Sequence, residues 1–384
     1  MLVIYSGFDK LEMAFKANIS KEFDHQLADA KESAIKCNSE VLLPIDGKYL
    51  QVGKGGIGGG YAYVCDLNGD GTKWFIKRPN KNDPWGIRVS VSSSQLALYG
   101  LEGTRKYIEK TLKLFGIELE ENAISISRVD FAVDILAPHL AIDRQNIVSH
   151  ARSNITERDL GNEIATSGHS GRVTSITVGK MPSRQFIFYD KREEVVVKHK
   201  AHWHTIWNNS LAKKGLPPLD YSNPMASRIW RIEARAGKTY LQKKWGVRCW
   251  NSLYEKLPEL MADAFEKVRY CEQTTDTNRA RWPTHPIWDM AKETVATRLT
   301  EFEPLITQSE FLDISKHERI GVLEKQTLGL AVSLAAIQQT ESEEFPNFLY
   351  ALARQLEANS QDHYVPIEER LQKARDRYVR FHAS

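Results

Sequence analysis

Apolar and polar residues alternate with a period of two in many short segments between residues 10 and 235. This alternation, together with aromatic and β-branched residues, is typical of half-buried strands. The pattern predicts strands at 10–16, 41–52, 61–65, 73–77, 87–92, 127–135, 173–178, 184–194 and 231–235.

A period close to 3.6 predicts helices between these strands, at 21–36, 103–115, 143–153 and 252–269. Residues 273–281 are polar and typical of a linker. Beyond Pro286 the pattern predicts helices alone, at 288–299, 319–339, 345–357 and 366–381. We therefore predict an α+β domain at 1–272, with an open antiparallel sheet and flanking helices, and an all-helical domain at 285–384.

Three of the predicted strands carry ionisable residues on one face. Because side chains alternate along a strand, the residues that share a face are Arg128, Asp130 and Asp134 on one strand, Arg231, Glu233 and Arg235 on the next, and Tyr189, Lys191 and Glu193 on the third. Core strands seldom carry three ionisable groups, so these strands predict a shared charged surface.

The third strand supplies groups that can hold and attack a phosphodiester. A tyrosine with an ordinary pKa near 10 is a poor nucleophile until a metal ion or a base favours its phenolate. Carboxylates can hold a divalent cation that polarises the phosphate, and Lys or Arg neutralises its non-bridging oxygens. Only one of Glu193 and Glu194 is expected to take part in the site, and the alternation of side chains along the strand favours Glu193.

The order of the three charged motifs resembles the replication initiation factor family (Rep_trans), which comprises rolling-circle plasmid initiators and related relaxases of conjugative elements. The matching residues are Arg128-Val-Asp-Phe-Ala-Val-Asp134, Tyr189-Asp-Lys-Arg-Glu-Glu194 and Arg231-Ile-Glu-Ala-Arg235. The resemblance covers about residues 5–270. It implies a divergent HUH-endonuclease fold with about five central antiparallel strands.

The resemblance also implies a site-specific enzyme that nicks and rejoins one DNA strand through a 5′-phosphotyrosine, either to initiate rolling-circle replication or to transfer a mobile element. Tyr189 would be the nucleophile and Lys191 a phosphate contact. Mg²⁺ or Mn²⁺ would be held by Asp130, Asp134, Glu193 and Glu233, and DNA by Arg128, Arg231 and Arg235. A helicase and a second copy of the chain are further expected partners.

Other interpretations stay open at this point. The carboxylates could form structural ion pairs with the neighbouring arginines, and the scaffold could belong to a DNA-binding regulator without catalysis. His202-Trp203-His204 fits a His-hydrophobic-His metal motif if it is a strand, or a DNA-stacking surface with Trp207.

Two local motifs have simpler explanations. The glycines at 53, 55 and 58 match a dinucleotide fingerprint, but a strand rather than a helix follows them. Residues 66–71 match half of a calcium loop, but the twelfth position is Lys77, so we predict a hairpin turn.

The charge distribution fits either a polyanion partner or ordinary surface charge, and the cysteine usage favours the cytoplasm. Residues 1–300 carry 43 basic and 35 acidic residues, whereas 301–384 carry 9 and 14. The basic excess lies in the strand-containing part, as expected for a polyanion-binding domain. The four cysteines lack metal-ligand spacing and predict reduced thiols. We also expect no signal peptide and no membrane span.

Overall fold

The computed structural model describes residues 1–67, 71–149, 164–169, 171–361 and 364–381. The strands are β1 Leu2–Phe15, β2 Val41–Ile45, β3 Lys48–Val52, β4 Tyr61–Leu67, β5 Lys73–Lys77, β6 Ile87–Val91, β7 Ile124–Leu136, β8 Ile147–Ser149, β9 Ile164–His169, β10 Arg172–Gly179, β11 Arg184–Asp190, β12 Ile229–Gly237 and β13 Val268–Tyr270. The helices are α1 Lys21–Lys36, α2 Ser93–Leu114, α3 Lys191–Val197, α4 His202–Ala212, α5 Trp250–Lys267, α6 Pro286–Arg298, α7 Gln308–Ile337, α8 Phe345–Gln361 and α9 Ile367–Arg377.

One large antiparallel sheet organises the molecule. Its strand order is β2-β3-β4-β5-β6-β1-β7-β12-β11-β10-β9, and β8 and β13 form a separate pair. The α+β class predicted from the sequence is confirmed, but the sheet has eleven strands in the described part of the chain rather than about five. Five additional strands, β2–β6, form a meander that continues the sheet beyond β1.

One face of the sheet is apolar and carries the main core. Alternate residues of the central strands, such as Leu11, Val129 and Ile232, are buried there beneath helices. Phe186 of β11 contacts Phe265 of α5 and Trp288 of α6, with ring centroids 5.0 and 5.3 Å apart. The opposite face, here called the polar face, carries Asp130, Glu233 and Tyr189.

Local sequence signals explain where several elements begin. The Ser20 side chain accepts a hydrogen bond from the backbone N–H of Phe23 and caps α1. Asp190 does the same for the N–H of Glu193 at 3.0 Å and caps α3. Because Asp190 caps a helix, β11 ends at this residue, whereas the sequence pattern predicted that the strand continued to Glu194.

Two other expectations about local structure were wrong. In place of the helix predicted at 143–153, a single helical turn at Arg144–Asn146 precedes β8; residues 150–153 lie outside the described residues. His202-Trp203-His204 begins the helix α4, so the two histidines do not share a strand face.

The predicted domain boundary at 272–285 does not coincide with a break in the core. Ile287, Trp288 and Ala291 of α6 are buried in the same core as the sheet, and Leu305 and Ile306 pack with α4. The C-terminal region is helical, as predicted, but α6 belongs structurally to the sheet domain.

Helix α7 carries much exposed apolar surface. Its C-terminal half includes Leu330 and Ile337, which are 68% and 79% exposed. Contrary to the expectation from sequence, this helix is long and apolar enough, by length and composition alone, to cross a membrane. Its N-terminal half packs on α4, where Phe311 contacts His202.

Candidate active site

The three charged strands are neighbours in the sheet, in the order β7-β12-β11. In their register Asp130 lies opposite Arg235, Asp134 opposite Arg231, and Arg231 opposite Tyr189. The structure therefore brings most of the predicted site residues onto the polar face. These residues form two sets. One lies beside partly exposed side chains, and the other is fully buried.

The first set centres on Asp130 and Glu233. Asp130 accepts hydrogen bonds from Arg128, the shortest at 2.6 Å, and Arg235 donates to Glu233 at 2.7 Å while lying 3.7 Å from Asp130. Both carboxylates are buried, but the side chains of Arg128 and Arg235 are 22% and 23% exposed. Burial raises the pKa of Asp130 to about 7; the Glu233 carboxylate adds to this rise and Arg128 opposes it.

Tyr189 joins this first set. Its hydroxyl donates a hydrogen bond to Glu233 Oε2 at 3.3 Å. The side chain is partly exposed, yet burial of its hydroxyl raises its pKa well above 10, against the effect of Arg231. The phenol is therefore protonated at neutral pH, with a carboxylate in place to accept its proton.

The second set is sealed. Arg231 is fully buried and donates to Asp134 at 2.5 and 2.8 Å and to Asp9 at 2.6 Å. Trp207 donates to Asp134 at 2.9 Å, and the Trp203 ring lies 4.3 Å from the Arg231 guanidinium. In this conformation neither Asp134 nor Arg231 has exposed surface for the metal and DNA roles predicted for them. Their arrangement fits the alternative interpretation, in which a carboxylate forms a structural ion pair with a neighbouring arginine.

The residues that follow Tyr189 lie in α3 rather than on the strand. Lys191 is 2% exposed, donates to Glu194 at 2.6 Å, and has its ammonium 5.7 Å from the Tyr189 ring. Glu193 points elsewhere and accepts from Arg172 at 2.6 Å. The alternation argument that favoured Glu193 over Glu194 was therefore wrong, because the strand had already ended.

The electrostatics of Lys191 and Glu194 follow from their burial together. Burial lowers the pKa of Lys191, and Arg231 adds to this effect. Burial alone would raise the pKa of Glu194, but Lys191 and Lys200 hold it well below its usual range. Glu194 thus remains a carboxylate that fixes the Lys191 ammonium beside Tyr189.

The two histidines of the predicted metal motif pack against aromatic rings, His202 against Phe311 and His204 against Tyr221. Burial lowers the pKa of His202 to about 3, and Lys200 contributes to this shift. His204 stacks on Tyr221 with ring centroids 4.0 Å apart. Trp203 and Trp207 are fully buried, so the predicted DNA-stacking surface was wrong for both rings.

Part of the site was missed by the sequence patterns. Asp9 binds Arg231, and Lys10 donates to Ser90 at 2.6 Å on the same polar face. The alternation of Leu11 and Met13 could have revealed Lys10. Asp9 could not have been found this way, because it lies at a register shift between Phe8 and Lys10.

The carboxylates provide a limited basis for a metal site. Within the described residues no group of three or more His, Cys, Asp or Glu side chains could hold a metal ion. Of the four predicted ligands, only Asp130 and Glu233 lie together with partly exposed surroundings. Mg²⁺ is often bound by one or two carboxylates, with waters and substrate phosphates completing its octahedron. Asp130 and Glu233 are buried and bonded to Arg128 and Arg235, so metal binding by this pair requires the arginines to move.

Comparisons with known proteins give little further information. No family model matches the sequence, and no curated protein is similar to it. Among solved structures, the fold is distantly similar to that of a rolling circle replication initiator protein from Geobacillus stearothermophilus. The sequence identity is 16%, the match covers 76% of this chain and 96% of that one, and the TM-score is 0.36.

Proposed function

We propose that this protein cleaves and rejoins one strand of DNA through a covalent bond to Tyr189. The observation that carries this proposal is the hydrogen bond from the Tyr189 hydroxyl to Glu233 at 3.3 Å, beside Asp130. A nucleophile within hydrogen-bond reach of a base is the arrangement that covalent catalysis requires. Arg128 and Arg235 lie next to it with part of their surface exposed.

The chemical step follows from these positions. The Tyr189 oxygen attacks the phosphorus while its proton passes to Glu233 Oε2, and the bond from phosphorus to the 3′ oxygen breaks. The 3′ oxygen leaves as a hydroxyl after taking up a proton from solvent, and the 5′ phosphate stays on Tyr189. Attack of a 3′-hydroxyl on this phosphotyrosine reverses the step and rejoins the strand.

The other residues act on charge and position. Arg128 and Arg235 would neutralise the non-bridging phosphate oxygens, and the buried Glu194–Lys191 pair would hold an ammonium beside the phenol. Asp130 and Glu233 would hold Mg²⁺ or Mn²⁺, which supplies polarisation of the phosphate when bound. The phosphate contact predicted for Lys191 requires its bond to Glu194 to open.

The decisive experiment is capture of a covalent adduct. The protein is incubated with Mg²⁺ and a labelled pool of random single-stranded oligonucleotides, and the products are separated on a denaturing protein gel. We expect an adduct with the native chain, none with Tyr189→Phe, and none after chelation of the metal. Tyr61→Phe, which removes a partly exposed hydroxyl from a distant strand, serves as the matched control and should still form the adduct.

Two outcomes would contradict the proposal. Normal adduct formation by Tyr189→Phe would assign the nucleophile elsewhere. Tight DNA binding by the native chain without any adduct, over a range of metals and sequences, would instead favour the non-catalytic regulator. A helicase, a second copy of the chain and a cytoplasmic location remain predictions that this experiment does not address.

A further inference from the structure

A group of basic side chains lies at one end of the sheet, where β7 and β11 begin and β12 ends. We call it the end patch, and it consists of Lys180, Arg184, Lys238, Lys243, Lys244 and Arg248. The tip of the β10–β11 hairpin, the end of β12 and the loop before α5 meet here. The Gly237 N–H donates to Ser183 O at 2.8 Å, and the Ile126 N–H donates to Arg248 O at 2.7 Å.

An unusual helical turn brings two of these lysines forward. Residues Thr239–Lys244 form a π-helix, a conformation that is rare and frequently occurs at functional sites. Gln242 fixes the turn to the sheet by donating to Ile126 O at 3.1 Å. The wide turn leaves Lys243 and Lys244 exposed at the surface.

The charge of the end patch is largely uncompensated. Within the described residues only Lys244 pairs with a carboxylate, that of Asp263; the other five basic groups form no described ion pair. Lys180, Lys238, Lys243 and Arg248 are exposed. A local excess of five positive charges is large for a chain with a net charge of +3, and it attracts a polyanion.

Aromatic rings add a second feature. The Arg184 guanidinium lies 5.9 Å from the centre of the Tyr240 ring, and the Lys244 ammonium lies 5.2 Å from both the Tyr240 and Trp245 rings. These contacts hold the two cations in place. The patch therefore presents part of its charge on a rigid platform rather than on mobile side chains alone.

Polar-face residues connect the end patch to the candidate active site. Arg184 lies opposite Ala236, so its side chain is on the apolar face. The next residue, Gln185, lies opposite Arg235 on the polar face and accepts a hydrogen bond from it at 3.2 Å. Arg128 lies opposite Gly237. Tyr189 lies five positions beyond Arg184 on β11, with four residues between them, which corresponds to roughly 16 Å, or about five phosphate steps along one strand of a duplex.

We infer that the end patch binds the backbone phosphates of the DNA on one side of the bond that Tyr189 cleaves. This inference rests on the proposed function and deepens it, because it gives the direction in which the DNA leaves the site. The contacted phosphates belong either to the single strand or to a duplex arm beside it. Both sources offer the same anionic groups to Lys and Arg.

The test uses a triple substitution, Lys238→Ala, Lys243→Ala and Arg248→Ala. Its matched control replaces three exposed lysines on α2, Lys106, Lys110 and Lys113, which lies on the opposite side of the sheet. Both triple variants are made in the Tyr189→Phe background so that no DNA is cleaved. Binding is measured by fluorescence anisotropy with a labelled single-stranded oligonucleotide, and with the same oligonucleotide carrying a duplex arm, over a series of salt concentrations.

We expect the patch variant to bind at least about tenfold more weakly at low salt and the control to bind normally. The slope of log affinity against log salt should decrease by about 2 to 3, since each lost phosphate contact contributes about 0.7 for single strands and 0.9 for duplex. A loss on both DNAs assigns the contact to the single strand, and a loss confined to the armed DNA assigns it to the duplex. Unchanged affinity and slope on both would overturn the inference.

Adduct formation separates this inference from the proposed function. With Tyr189 intact, the patch variant should need at least about tenfold more DNA than the native chain to form the same amount of adduct, because the patch contributes to DNA binding and not to the reacting atoms. An adduct with unchanged DNA binding would refute the end patch alone. A binding defect without any adduct in the native chain would refute nicking while leaving a phosphate-binding surface. Circular dichroism of both triple variants confirms that each is folded.

Discussion

At the residue scale, the two sets of carboxylates and arginines in the site have the same composition but differ in how exposed their surroundings are. Asp134 and Arg231 lie beneath Trp203 and Trp207 and have no exposed surface. Asp130 and Glu233 have the same chemistry but lie beside Tyr189 and partly exposed arginines. A buried charge needs its partner in order to remain charged, so the Asp134–Arg231 set is expected to affect stability and the Asp130–Glu233 set to affect reactivity.

Arg231→Met should destabilise the protein strongly. The change leaves Asp134 and Asp9 buried without their shared cation, and breaking a buried pair costs about 3–5 kcal/mol. Chemical denaturation measures the loss. Lys213→Met, which breaks an exposed pair with Glu303, should cost about 0–1 kcal/mol. Similar losses in the two variants would show that the Arg231 cluster is not the buried unit described here.

His202 should make the fold sensitive to acid. The unfolded chain takes up a proton on this side chain near its ordinary pKa of about 6.5, whereas the folded chain does so only near 3, because of burial. The free energy of unfolding should therefore be highest, as far as this side chain is concerned, above pH 6.5. It should decrease by up to about 1.4 kcal/mol per pH unit as the pH falls towards 3.

The effect of His202 can be isolated with a substitution. His202→Leu should flatten the dependence of unfolding free energy on pH between about 4 and 6.5. The exposed His317 serves as the control, and His317→Asn should leave the dependence unchanged. Equal slopes in native protein and His202→Leu would show that this imidazole does not remain neutral in the fold.

At the element scale, the strands around the site are fixed by pairing over long distances in the sequence. Alternation predicted most strands, because each buries one face. It could not show where β11 ends, since the cap formed by Asp190 looks like a further polar position of the strand. It also missed that α4 covers the polar face, because Trp203 and Trp207 have an apolar character that suits either a strand or a helix.

The role of α6 leads to a truncation test. A chain ending at Thr275 loses Ile287 and Trp288 from the core beneath the sheet. Removing a single large aromatic side chain from a core typically costs about 3–5 kcal/mol, so this truncated chain should not fold. A chain ending at Thr340 keeps α6 and α7 and should fold, as judged by circular dichroism and cooperative melting. A folded chain ending at Thr275 would restore the boundary predicted from the sequence.

At the scale of the whole molecule, sequence patterns predicted the α+β class but not the size of the sheet. The meander β2–β6 was visible as separate strands, yet nothing in a local pattern shows that β6 pairs with β1 and so extends the same sheet. A similar limit applies to the predicted boundary at 272–285, since residues beyond it share the core of the sheet. The polar residues at 273–281 indicate that this segment is exposed, but they do not show that Trp288 packs in the core.

The apolar helix α7 should not place the protein in a membrane. Glu324 and Lys325 lie within the apolar stretch of the helix, and charged residues inside a membrane span are costly and rare. We expect the protein in the supernatant after ultracentrifugation of a lysate prepared without detergent. Leu330→Glu, at a position 68% exposed, should not change this distribution. Sedimentation with membranes and release by detergent would contradict this expectation.

The pairing of β1 with β7 has a consequence for protein synthesis. The meander β2–β6 joins neighbours in the chain and can form early, and β6 can then pair with β1. The pairs β1–β7 and β7–β12 join strands that are much farther apart in the sequence. Loops that close over longer distances form more slowly. Asp130, Glu233 and Tyr189 all lie on these late strands, and α6 must follow to complete their support. A nascent chain released before α6 would therefore carry the meander but no assembled site, and would leave DNA intact.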